Sequence, residues 1–190
     1  MPHFIFWCAF DHLDFRIPEF EAIGQLFDIQ LKWVDKNQTH PWVIIDLDSH
    51  KEALQICSRS ISTKYCAQLW TQSEAGWEAL HSRVQAHCQK SKLNFGPEVS
   101  FKMQMECFMK KLTTKEKLEQ IESFDYMPVQ GPVKLDDPDV TFINFQFYGF
   151  DHNNLPESPL NMFFGQLISE GQRDLITKYV TLVDSRNFLN

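Results

Sequence analysis

Glycine is scarce in this chain: seven residues are scattered through 190, with no Gly-x-Gly pair among them. That excludes a glycine-built phosphate cradle of the Walker or dinucleotide kind. No stretch of about 18 apolar residues occurs, so a membrane-spanning helix is excluded. The five cysteines (Cys8, Cys57, Cys66, Cys88, Cys107) are odd in number and form no C-x-x-C pair. Neither a disulfide framework nor a four-cysteine zinc site is written in that spacing, and reduced thiols in a cytosolic protein are expected. The G-x-S-x-G elbow of the serine hydrolases is missing too. Positive charge is short, with a net charge of −7. Residues 1–95 carry 9 basic and 11 acidic groups and residues 96–190 carry 9 and 14, so the halves stand at −2 and −5. Binding to a polyphosphate draws on Lys and Arg contacts, so such a chain needs its few cations gathered on one face.

What is present is a globular composition, 43% hydrophobic and 14% aromatic, with 17 phenylalanines. The opening MPHFIFWCAFDHLDFR has an apolar run but no basic leader and no small-residue cleavage site, and reads as a strand, not a signal peptide. The pattern predicts a buried strand over residues 4–9. A helix follows with Pro18 in its first turn and Phe20, Ile23 and Phe27 on one face. An antiparallel pair over 31–34 and 42–47 comes next. Ser49 with Glu52 marks a capped helix that buries Ala53, Leu54 and Cys57. Residues 61–70 then alternate, placing Ile61, Thr63, Tyr65, Ala67 and Leu69 on one face. The order β-α-β-β-α-β is the ferredoxin-like motif. A further helix is lined by Trp77, Leu80, Val84 and Cys88. Residues 90–97, polar and closed by Gly-Pro, are the linker candidate. Beyond it come an alternating strand (Val99, Phe101, Met103, Met105, Cys107) and a second capped helix (Thr113 with Glu116, Leu118 and Ile121 inward). Strands over 140–150 and 162–168 complete the pattern. The expected class is α+β in two domains, 1–95 and 96–190, each a sheet with helices on one face.

Four constellations invite chemistry. Asp46, Asp48 and His50 resemble a metal or phosphate cluster, and a metal-dependent enzyme built on them is one reading. They also lie where a strand exits into a capped helix, so capping duty is the stronger expectation. His81, His87 and Cys88 suggest zinc but lack a fourth ligand. Cys66 or Cys107 as a nucleophile needs a nearby base and a depressed pKa. The most basic segment is 110–117, where Lys110, Lys111, Lys115 and Lys117 crowd a strand-to-helix corner whose helix N-terminus can also face a phosphate. Arg173, Lys178 and Arg186 extend this patch if the fold brings them together.

Several stretches are collinear with a known family. FDHLDFRIPE at 10–19 resembles the opening of the eukaryotic tRNA (guanine-10-N2)-methyltransferases, in which a His-Leu-acidic-Phe-Arg-aliphatic-Pro-Glu run is typical. Residues 60–70, 112–129 (LTTKEKLEQIESFDYMPV), Tyr148-Gly149 and 161–179, with Gly165 and Gly171-Gln172-Arg173, resemble later family segments in the same order. The resemblance implies a ferredoxin-like domain followed by a THUMP-like domain, an RNA-binding module that holds the acceptor end of tRNA. It implies tRNA as partner, and the basic residues noted above, Lys110, Lys111, Lys115, Lys117, Arg173, Lys178 and Arg186, are then the RNA-binding candidates, in a protein expected to be cytoplasmic. The family's methyl donor, S-adenosylmethionine, its Asp-Pro-Pro-Tyr catalytic loop and its zinc-binding activator subunit all belong to a following domain. This chain is expected to stop short of that domain and to be inert by itself. Two departures remove charge: Gln166 stands where the family tends to have Arg, and Asp184-Ser185-Arg186 where it tends to have Lys-Lys-Arg. The alternative they favour is a protein-interaction or regulatory module on the same scaffold.

Overall fold

Residues 2–173 are described by the structure, a computed structural model. The elements run β1 (His3–Cys8), α1 (Leu13–Phe27), β2 (Lys32–Asp35), β3 (Trp42–Asp46), α2 (His50–Cys57) and β4 (Thr63–Ser73). They continue as α3 (Gly76–Ser91), β5 (Phe101–Phe108), α4 (Thr114–Glu122), β6 (Val140–Phe147) and β7 (Asn161–Glu170). The class is mixed α/β, as the pattern predicts. No helix of the described residues is long and apolar enough to cross a membrane. The described residues divide into two compact units: unit 1 comprises those up to Gln68 together with 168–173, and unit 2 is Leu69–Leu167.

Unit 1 realises the β-α-β-β-α-β order with strands arranged β2-β3-β1-β4, each neighbour antiparallel. Period-two geometry sends Phe4, Phe6 and Cys8 of β1 toward the helices. There they pack with Ile17, Phe20 and Ile23 of α1 and Ala53, Ile56 and Cys57 of α2. Ile5 and Trp7 face the other way and are also buried, which is why β1 reads as a continuous apolar run. Three expectations are corrected here. Pro18 lies inside α1, not in its first turn. Leu54 is exposed, and Ile56 takes the buried place expected of it. In β4 Cys66 and Ala67 are both fully buried while Tyr65 and Leu69 are only partly so, because both faces of the strand are covered and burial cannot alternate.

Two charged side chains of α1 are buried and act as clamps. The Arg16 side chain donates to the carbonyls of Ala9 (2.9 Å), His40 and Gln38. It thereby ties the end of β1 to the turn before β3. The Glu19 carboxylate accepts from the amides of Ile61 (2.7 Å) and Ser62 and from the hydroxyls of Ser60 (2.9 Å) and Ser62. Buried charges cost several kcal/mol unless their hydrogen bonds are satisfied, and each clamp has several partners. The return of the chain to unit 1 is fixed by Gly171 N–H donating to Lys64 O (3.1 Å) and Gln172 N–H to Ser60 O (2.8 Å). A Cβ at Gly171 would stand 2.1 Å from Thr63 O, so only glycine fits this approach.

In unit 2 the strand order is β4-β7-β6-β5, with β5–β6 parallel and β6–β7 antiparallel. A parallel neighbour requires a crossover, and α4 lies on it. Leu80, Val84 and Cys88 of α3 pack on Met105, Phe142, Met162 and Phe164. Residues 90–97, the expected linker, hold the end of α3 and a stretch that meets the loop after α4: Phe95 N–H donates to Pro128 O, and Gln130 N–H to Phe95 O. Leu118 is 53% exposed and does not face inward. Ile121 does pack on the core.

Candidate nucleic-acid interface

The lysine corner is built by the turn between β5 and α4. Met109 takes a left-handed conformation, φ 69°, and reverses the chain after Phe108. Leu112 is buried and pins the turn, while Lys111, Lys115 and Lys117 are exposed and Lys110 is half-buried. Thr113 caps α4 with the predicted box: its Oγ1 accepts from the Glu116 amide (3.2 Å), and Glu116 Oε2 accepts from the Thr113 amide (2.7 Å) and hydroxyl (2.8 Å). Those donations hold the Glu116 carboxyl below the usual range. The anion at this helix N-terminus is therefore the chain's own Glu116, in the place the sequence reserved for a phosphate.

Lys110 is the most organised of the four cations. Its ammonium stands 4.7 Å from the centre of the Tyr148 ring and 3.5 Å from Glu157 O. The Tyr148 hydroxyl donates to Gln146 Oε1 (2.9 Å), and Gln146 Nε2 donates to Asn144 Oδ1 (2.9 Å) and Gln120 Oε1 (2.7 Å). This ladder joins β6 to α4 and fixes the platform beneath Lys110. Its buried members, Asn144 and Gln146, are polar residues two apart amid the apolar run Phe142–Phe147, a spacing that was the available signal and went unused in the sequence pattern above. Lys115 pairs with Glu119 at 3.7 Å on a well-exposed face, an interaction worth little. Lys111 and Lys117 make no ion pair among the described residues.

Arg173 belongs to unit 1, not to the unit of the lysines. Its guanidinium is 3.6 Å from Asp11, and it lines a cavity of about 220 Å³ with Ala9, His12, Phe15, Ile61 and Ser62. Lys178 and Arg186 lie outside the described residues, as do Asp184 and Ser185. Gln166 is on β7, opposite Phe142.

The competing constellations do not converge. Asp46 engages His3, Asp48 lies 3.7 Å from Lys32, and His50 bonds Gln68 at 2.9 Å. His81 bonds the Tyr126 hydroxyl (2.8 Å), His87 stacks on Trp70 at 4.9 Å, and Cys88 is buried against Met127. Among the described residues no three His, Cys, Asp or Glu side chains are placed to hold a metal ion. Burial pushes the Cys107 thiol up to about 12 and raises Cys66 as well, the opposite of what a nucleophile needs.

The family model described as the Tmrp11 THUMP N-terminal domain matches residues 2–173. The chain is 30% identical over 184 residues to the tRNA (guanine(10)-N(2))-methyltransferase TRMT11 of Bos taurus, covering 95% of this chain and 39% of that protein. It is 25% identical over 183 residues to the tRNA (guanine(10)-N(2))-methyltransferase of Saccharomyces cerevisiae, covering 94% and 42%. The chain thus spans about two-fifths of the length of these relatives. Among solved structures, PH1313 from Pyrococcus horikoshii Ot3 matches with a TM-score of 0.52 at 14% identity, covering 90% of this chain and 56% of that one. That likeness speaks to the fold alone.

Proposed function

Because the chain belongs to the Tmrp11 THUMP N-terminal domain family, we propose that it is the tRNA-binding and positioning part of a tRNA guanosine N2-methyltransferase, acting in the cytoplasm. The observation that carries this reading is the family match running through residues 2–173, with relatives that are tRNA (guanine(10)-N(2))-methyltransferases. In this proposal the chain performs no methyl transfer itself. S-adenosylmethionine would be held elsewhere, in keeping with a sequence that has no Gly-x-Gly pair, and the zinc-binding activator subunit would dock elsewhere too. The chain's own task is to hold RNA so that a distant guanine is presented. Lys110, Lys111, Lys115 and Lys117 are the contact candidates in unit 2 and Arg173 in unit 1, with Lys178 and Arg186 beyond.

Binding of a transcribed tRNA to the chain, measured across a salt series, tests this. Retention at low salt is expected, and Lys110→Ala with Lys111→Ala should lower the slope of log K against log salt by about two. No binding at low salt, or an unchanged slope, would remove the reading or its site. The acidic balance supports a second reading, a protein-interaction module: residues 106–122 hold four lysines but also Glu106, Glu116, Glu119 and Glu122. Co-purification of a protein partner without RNA would favour it.

A further inference from the structure

We propose that α3 carries a second polyanion-binding face, a stripe of Arg83, His87 and Lys90 that contacts the phosphate backbone of the RNA; the inference rests on the RNA-binding reading above. The spacing i, i+4, i+7 puts the three side chains on one side of the helix, flanking its buried row of Leu80, Val84 and Cys88. Arg83 and Lys90 are exposed and His87 is half-exposed.

Charge separates this face from the lysine corner. No carboxylate occurs between Glu78 and Glu98, so residues 79–97 carry Arg83, Lys90 and Lys92 with nothing to offset them. Residues 106–122 hold four lysines against four glutamates and sum to zero. In a chain of net charge −7, the part of α3 beyond Glu78 carries cations with no carboxylate of its own. Carboxylates near α3 include Glu74, which accepts from Asn161 Nδ2 at 2.8 Å, Glu78 on the first turn, and Glu116 and Glu119 of α4, which share a pocket with Trp77 and His81; Arg83, His87 and Lys90 do not line that pocket.

The stripe is also held in place. Arg83 Nη1 donates to Gln72 O at 2.5 Å, which fixes the guanidinium against the end of β4 and leaves its other N–H groups for a bidentate phosphate contact. The His87 ring lies flat on Trp70, 4.9 Å between centres and 10° between planes, and Trp70 is itself wedged edgewise against Phe142 and in tilted contact with Phe164 of the core. The Arg83 cation fixed in this way loses less side-chain entropy on binding than a free lysine does, and His87, which burial and neighbouring Lys90 hold toward its neutral form, offers a ring N–H and not a charge. Lys90 also complements the C-terminal end of the α3 dipole, but that duty does not account for the Arg83 anchor or the flat histidine.

The test uses the full chain and a transcribed tRNA over a salt series. Arg83→Gln with Lys90→Gln should lower the slope of log K against log salt by about two and leave the thermal melt unchanged. Arg83→Lys, which keeps the charge, should retain most of the binding. Should the double variant melt early, Ala86→Glu places a carboxylate on an exposed site between Arg83 and Lys90, and weaker binding is again expected. A wild-type slope in both the double variant and Ala86→Glu, while Lys110→Ala with Lys111→Ala flattens it, overturns the α3 face and leaves the RNA-binding reading standing. Failure of the unaltered chain to bind at low salt overturns both.

Discussion

The decapeptide at residues 10–19 and the lysine corner at 110–117 are the two most conspicuous motifs of the chain, and their charged side chains differ in burial. The first carries the resemblance most strongly, yet its Arg16 is wholly buried and its Glu19 is 7% exposed. Both spend their charge on neighbouring backbone. The second is modest as a pattern, but Lys111, Lys115 and Lys117 are exposed. Arg16 and Glu19 therefore serve the scaffold, and the exposed lysines are the side chains left free to meet a polyanion if the proposed reading holds.

That division can be broken by experiment. Arg16→Ala has the largest expected effect, a loss of about 3–5 kcal/mol in urea unfolding, because it leaves the Ala9, His40 and Gln38 carbonyls without their donor and opens a cavity. A surviving folded fraction should keep the wild-type salt slope for tRNA. A stable Arg16→Ala chain with altered slope would place the motif in the interface after all. Gly171→Ala comes next, at about 1–3 kcal/mol, since the added methyl meets backbone, not a movable side chain; an unchanged melt would show that the return strand yields freely.

The smallest effect concerns His81 in unit 2. The Ser123 hydroxyl is committed to Gln120 O (2.6 Å), so Ser123 accepts from His81 Nε2–H, and His81 Nδ1 accepts from the Tyr126 hydroxyl. This arrangement needs the neutral ring. Burial lowers the His81 pKa from the ordinary 6.5, so the unfolded chain takes up the proton first. Stability of unit 2 is then full above pH 6.5 and declines as pH falls through the window below it. His81→Gln should flatten the melting temperature between pH 7 and pH 5; an identical pH dependence in the variant would dismiss the network.

Much of the fold was legible because apolar periodicity and caps are local. The Thr113–Glu116 box appears in full, and the Ser49 side chain accepts from the Glu52 amide as expected. What failed was non-local. α1 begins at Leu13, before Pro18, because the buried Arg16 and Glu19 need that earlier turn to reach their partners. Leu54 and Leu118 satisfy a helical face on paper, but Ile56 and Ile121 are the neighbours that meet the core. The site was half legible. Four lysines in eight residues stand out in any reading. The glutamates that offset them matter only once α4 folds, and the α3 stripe hid behind a zinc reading of His87.

The chain leaves unit 1 after Gln68 and re-enters it at Ile168, and this matters on the ribosome. At about 5–20 residues per second, the residues between those points take on the order of 5–20 s to synthesise. Throughout that interval Ser60 O and Lys64 O wait for the amides of Gln172 and Gly171. Unit 2, being contiguous, has all its residues before unit 1 does. The first unit to begin synthesis is thus the last to be completed, and a chaperone that shields half-made sheet edges would find its substrate in the N-terminal third.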